Sequence, residues 1–146
     1  MLAVLAIAVA LVACTVAIHA YGLSLILPTL GRARAAPPTR HWQITWLLVR
    51  IAWFLMLIHI VEITLWAILY WWEGLVPTAE AAFYFSGVTY TTLGYGDLLL
   101  PIPWRMLGPI EGLTGILMCG LSAGLFFATV NRIYIWQWEQ SHPHEH

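Results

Sequence analysis

Residues 91–97 read Thr91-Thr92-Leu93-Gly94-Tyr95-Gly96-Asp97. Two glycines bracket a tyrosine, and a carboxylate follows. Glycine accepts positive φ without steric penalty. Glycine at alternate positions therefore lets the backbone alternate between conformations that ordinary residues resist, which points consecutive carbonyls the same way. The stretch before it, 79–90, is apolar and far too short to span a bilayer. Thr78 suits the N-cap of a helix there and Glu80 its first turn, giving a short helix over 78–90. A short helix leading into a glycine-rich segment reads as re-entrant, dipping into the membrane and returning. Further out lie two longer apolar runs, 42–72 and 105–135, each able to cross a bilayer as a helix.

The whole chain is built for that setting. Of its 146 residues 61% are hydrophobic and 9% charged, and the mean hydropathy is +0.80. Soluble domains carry roughly 25% charged residues. A chain this short and apolar cannot cover itself with polar surface. In lipid, only helices or closed barrels satisfy the backbone, and unbroken apolar runs without alternation select helices. The net charge of -1 excludes bulk attraction to nucleic acid. The two cysteines, Cys14 and Cys119, lie in apolar runs, suggest no disulfide framework and read as buried free thiols.

Residues 1–27 form one more apolar run, expected as an additional transmembrane helix. Leu11-Val12-Ala13-Cys14 resembles a lipoprotein cleavage box, but no basic residue precedes Arg32, so a retained helix is the expectation. Residues 28–41, with Pro28, Gly31, Pro37, Pro38 and three arginines, read as a loop. Arg32, Arg34 and Arg40 place that loop in the cytoplasm. The acidic segment holding Glu73, Glu80 and Asp97 is then outside, the N-terminus outside, and the tail 136–146 cytoplasmic. Trp42 and Trp46 mark one membrane interface and Trp66, Tyr70, Trp71 and Trp72 the other. His19 reads as an interfacial residue.

A cation entering a narrow pore must shed its water, and rings of backbone carbonyls can replace those oxygens. Thr92 adds a hydroxyl oxygen at the inner end, and Asp97 attracts cations at the outer mouth. The C-terminus of the short helix, aimed at the pore, adds a partial negative charge. The seven residues, with a helix before them and one span on each side, resemble the signature of the tetrameric potassium channel superfamily. The resemblance covers 42–135 and is nearest to the short prokaryotic ion-channel proteins often grouped with two-pore-domain channels. It implies an all-α membrane protein with three transmembrane helices, a re-entrant pore helix and selectivity filter between the second and third, and a homotetrameric pore in the cell membrane. It also implies that potassium is held at Thr92, Leu93, Gly94 and Tyr95, with Thr91, Gly96 and Asp97 in support and no organic cofactor. An aromatic donor thirteen positions before the aspartate commonly bonds it; here that is Tyr84. Phe85 has no donor, Val88 stands where some members carry Glu, and Leu93 replaces the commoner Val or Ile.

The same resemblance puts Gly115 at an inner-helix hinge and Gly120 at the following small position; the alternative is close packing through Gly112, Gly115, Gly120 and Gly124. It turns Ile116, Ala123 and Phe127 toward the pore. Phe127 is a candidate hydrophobic constriction, with a lipid-facing or interhelix position as the alternative. Three polar residues within the spans, His59, Glu62 and Glu111, are functional candidates. His59 and Glu62 share a helix face and read either as a pH-sensing pair or as a structural one. The tail His142-Pro143-His144-Glu145-His146 is able to bind a divalent metal or to stay disordered. No Arg-rich helix and no ligand-binding domain suggests a gating stimulus, so gating falls to the filter, the last helix, the bilayer or a partner. Two rival functions remain, a poorly selective cation channel and a non-conducting regulatory subunit. An intramembrane enzyme is the weakest reading, because no Ser/Lys, Asp/Asp or HExxH constellation is present.

Overall fold

A computed structural model describes residues 2–35 and 40–141, with side chains for 2–29, 31 and 40–138. Helix α1 spans Leu2–Ala35, α2 His41–Trp72, α3 Ala79–Tyr90 and α4 Leu107–Ser141, with a 3-10 turn at Ile102–Trp104 before α4. No strand occurs among the described residues. Three segments are long and apolar enough to cross a membrane: Leu2–Thr29, His41–Trp72 and Ile102–Trp138. At 1.5 Å per residue, α2 is about 48 Å long, well beyond a hydrocarbon core of about 30 Å.

The first helix departs from expectation. The loop read at 28–41 starts late, because α1 runs through Pro28 to Ala35. Proline removes one backbone hydrogen bond, but it fixes φ near the helical value and the rest of the ladder can continue. Pro37, Pro38 and the histidine-rich tail lie outside the described residues, as do the side chains of Arg32 and Arg34. The last span also shifts. Arg105 precedes α4, and the helix continues past residue 135 to Ser141.

The helix ends follow local chemistry. After α2, Gly74 adopts φ +63°. Gly74 N–H donates to Trp71 O at 3.1 Å and Leu75 N–H to Tyr70 O at 2.9 Å, a glycine-terminated Schellman closure. Thr78 caps α3, its Oγ1 accepting from Ala81 N at 3.1 Å.

Helix α2 is the hub, touching α1, α3 and α4. Toward one end of the spans, Ala8, Leu11, Trp66, Tyr70, Ala82 and Leu107 form one apolar cluster. Toward the other, Ile26, Ile51, Leu55 and Ile58 form a second, with Leu125 and Phe126 against it. Trp66 and Tyr70 are fully buried against the other helices, while Trp71 and Trp72 are exposed. The reason is polar: Trp66 Nε1 donates to Thr15 Oγ1 at 3.0 Å, and Tyr70 donates to a buried carboxylate. Cys14 and Cys119 are free and exposed, so the thiols expected to be buried lie on outer faces of the chain.

Candidate functional site

Helix α3 is short because its C-terminus is folded back on. Thr91 N donates to Gly87 O at 3.1 Å and Thr92 N to Thr89 O at 2.9 Å. Val88 O accepts from both Leu93 N at 3.0 Å and Gly94 N at 3.2 Å. Thr91 Oγ1 donates to Gly87 O at 2.6 Å. The first half of 91–97 is therefore fastened to the helix end.

Beyond it, φ alternates in sign. Thr91 is at -78°, Thr92 at +62°, Gly94 at +55° and Gly96 at +76°, while Leu93, Tyr95 and Asp97 are not positive. Thr92 was not singled out for this by sequence, since a β-branched residue at positive φ is an outlier. Alternating conformations of opposite hand bring successive peptide planes into similar orientation. Among the described residues, no protein donor bonds the carbonyls of Thr92 to Gly96. Leu93 and Tyr95 are 61% and 68% exposed on the single chain.

Asp97 ends the segment. Its Oδ1 accepts from Leu98 N at 3.1 Å and its Oδ2 from Tyr84 Oη at 2.8 Å. That hydrogen bond, with desolvation and the charges of Asp97 and Tyr95, holds the Tyr84 phenol above its ordinary value. Tyr84 therefore stays a donor throughout the neutral range. Behind the segment lies a cavity of about 300 Å³, lined by Tyr84, Val88, Gly94, Asp97 and Arg105 among others. Arg105 Nε donates to Leu100 O at 3.2 Å, closing the return toward α4.

Two buried carboxylates flank α3. Glu62 accepts from Tyr90 Oη, the last residue of α3. Its Oε1 lies 2.9 Å from His19 Nδ1, and its Oε2 3.2 Å from His59 Nδ1. His59 Nδ1 also lies 3.0 Å from Tyr90 Oη, and its Nε2 3.0 Å from Ser122 Oγ. Glu111 Oε2 accepts from Tyr70 Oη at 2.6 Å, and its Oε1 accepts from Ser86 Oγ. Ser86 Oγ also lies 2.8 Å from Ile63 O. Glu62 thus joins α1, α2 and α3, and His59 reaches α4 through Ser122. Glu111 joins α2, α3 and α4.

The pairing of His59 with Glu62 was legible from i,i+3 spacing. His19 was misplaced: it is 1% exposed and faces Glu62 rather than an interface. Tyr70, Tyr90, Ser86 and Ser122 were missed as polar partners. The available signal was weak, a serine in the middle of an apolar helix at 86 and at 122.

On α4, Gly115 packs rather than standing free. A Cβ there would lie 2.0 Å from Tyr90 O and 2.9 Å from Tyr90 C. At Gly112 it would lie 3.3 Å from Thr89 O, whereas at Gly120 and Gly124 it would meet nothing within 4 Å. Ile116, Ala123 and Phe127 are exposed, Phe127 at 70%.

A family model described as "Ion channel" matches residues 54–132, more than half of the chain. The chain belongs to the ion channel family. The match runs from mid-α2 through α3 and the segment 91–97 to Arg132, and leaves α1 outside. Neither a curated protein nor a solved structure matches. Membership and three apolar helices make this a membrane ion channel, a transport protein rather than an enzyme.

One effect follows for the channel's segment 91–97. Replacing Tyr84 with Phe removes the hydroxyl that holds Asp97. The variant is expected to fold, and its ion flux is expected to decline at least about threefold sooner under sustained driving force, given the weight of hydrogen bonds to charged groups. Time-resolved flux from reconstituted vesicles measures it. An unchanged time course would show that the Tyr84–Asp97 contact does not support the segment.

Proposed function

We propose that this channel is selective for potassium and that four copies of the chain surround one pore, each giving residues 91–97 as a quarter of the filter. The observation that carries the reading is the run of unbonded carbonyls at 92–96, set between two spans with φ alternating in sign. Backbone carbonyls at membrane depth need partners. Four such runs around an axis give each other none, but together form successive rings of oxygens for a dehydrated cation. Thr92, Leu93, Gly94 and Tyr95 hold potassium; Thr91, Gly96, Asp97, Tyr84 and Val88 support them. Helix α3 is the re-entrant pore helix.

The exposure of Leu93, Tyr95, Ile116 and Phe127 on one chain fits burial by neighbouring copies. The end of α1 with Arg32 and Arg34, and Arg40 just before α2, face the cytoplasm of a cell membrane, and the N-terminus lies outside. Helix α4 lines the inner pore, with Phe127 at its constriction; Gly120, with open space around it, is the better candidate for bending than Gly115.

The test is flux through purified protein in liposomes, with reversal potentials measured in mixed potassium and sodium. The expected result is a reversal potential that follows the potassium gradient. Equal permeability to sodium would instead make it a poorly selective cation channel. No flux from confirmed tetramers would make it a regulatory subunit.

A further inference from the structure

We propose that His19, His59 and Glu62 form a binding site for one divalent transition-metal ion, zinc by donor type, where α1, α2 and the end of α3 meet. Binding itself does not depend on the ion the channel conducts; only its effect on the pore rests on the potassium reading.

The three side chains come together for simple reasons. His59 and Glu62 are one turn apart on α2, so they share a face. His19 projects from α1 onto that face. One ring nitrogen of each histidine and one carboxylate oxygen of Glu62 lie within 4.8 Å of one another. A tetrahedral zinc site, with bonds of about 2.0–2.2 Å, separates its ligand atoms by about 3.3 Å. His19 Nδ1 lies 2.9 Å from Glu62 Oε1 and His59 Nδ1 3.2 Å from Oε2, so each imidazole already stands near that distance from its own oxygen of the one carboxylate. Small ring movements suffice to admit the ion.

The donor set decides the class of ion. Two imidazoles and one carboxylate suit zinc and its first-row neighbours. Calcium and magnesium prefer all-oxygen shells, and copper(I) prefers thiolates and thioethers. A water molecule can take the fourth position.

A further observation points to a ligand: the cluster, whose His19 is 1% exposed, has a way in. His59 is 18% exposed and lines an open cavity of about 470 Å³, with Tyr90, Cys119 and Ser122 on its wall. An ion there meets an imidazole first and the carboxylate behind it. A cation also balances a carboxylate buried within a membrane span, where charge is costly unless paired.

The placement gives the site a consequence. Glu62 is the partner of the Tyr90 hydroxyl, and Tyr90 immediately precedes Thr91 and the filter. A metal that takes the Glu62 oxygens changes what holds the end of the pore helix.

The experiment measures zinc binding to the full-length protein in detergent, using a chain with His142→Ala, His144→Ala and His146→Ala so that the tail contributes nothing. One zinc per chain is expected. His19→Gln and His59→Gln should each weaken binding by more than about tenfold, the loss that removing even an outer-shell partner brings. X-ray absorption at the zinc edge of the tail variant, which needs no change in the cluster, should show nitrogen and oxygen ligands with two imidazoles. No stoichiometric zinc on the tail variant, or a sulfur-containing shell, overturns the proposal. So does a folded His19→Gln or His59→Gln protein that binds as tightly as its parent. Flux in zinc-free liposomes is scored separately, so loss of potassium selectivity and loss of the metal site are distinguishable.

Discussion

Gly115→Ala is expected to give a protein that fails to assemble into a conducting channel. The methyl group would sit 2.0 Å from Tyr90 O and 2.9 Å from Tyr90 C. Both are backbone atoms, so no rotamer change relieves the overlap. Either α4 moves away from α3 or the end of α3 moves toward the pore axis. Overpacking of this kind costs about 1–3 kcal/mol and more where the backbone must shift; here the upper part of that range applies. Gly120→Ala is the matched control, because its methyl enters open space. Exchanging glycine for alanine inside a helix is favourable by about 1 kcal/mol in a soluble host. Thermal melting of the purified proteins should therefore separate the two variants in opposite directions. If the Gly115 variant melts and conducts like its parent, α3 and α4 are not packed this closely.

On the proposed reading of residues 91–97, Gly94→Asp is expected to abolish potassium flux while leaving the proposed tetramer intact. Gly94 has φ +55° and nothing within 4 Å of its missing side chain on the single chain, so the substitution has little to disturb in the packing of the chain itself. Its effect is local: aspartate tolerates that φ better than most residues, yet four carboxylates in one ring change the field and the width of the filter. Flux should fall by at least about a hundredfold, since the proposed ring is both selector and path. Size-exclusion elution in detergent checks that four copies still associate. Unchanged flux would remove the assignment of residues 91–97.

The two effects differ in how far sequence could foresee them. Residues 91–97 were legible because their chemistry is local: two glycines at alternate positions state a backbone requirement that needs no neighbour. The spans 42–72 and 105–135 were legible for a similar reason, since lipid imposes length and hydropathy on any single helix. Trp66, Tyr70 and His19 were not. In a membrane both the lipid-facing and the protein-facing sides of a helix are apolar, so hydropathy does not tell them apart. What turns Trp66 inward is Thr15, and what turns His19 inward is Glu62, each on another helix. Such pairings depend on the rotation and depth of one helix against the next. Pro28 shows the opposite error. A residue that usually ends helices was read as an end, although a proline near the end of a long span removes only one bond.

The bonds from α1 to α2 also bear on how the chain enters the membrane. Thr15 meets Trp66 across 51 residues, and His19 meets Glu62 across 43. A ribosome adding about 5–20 residues per second makes the later partner roughly 2–10 seconds after the earlier one. During that interval His19 has no Glu62 to face, and the lipid offers no substitute. Helix α1 should therefore linger beside the insertion machinery and be released together with α2, as a pair. Crosslinking of arrested nascent chains would show α1 leaving only once residue 62 has emerged.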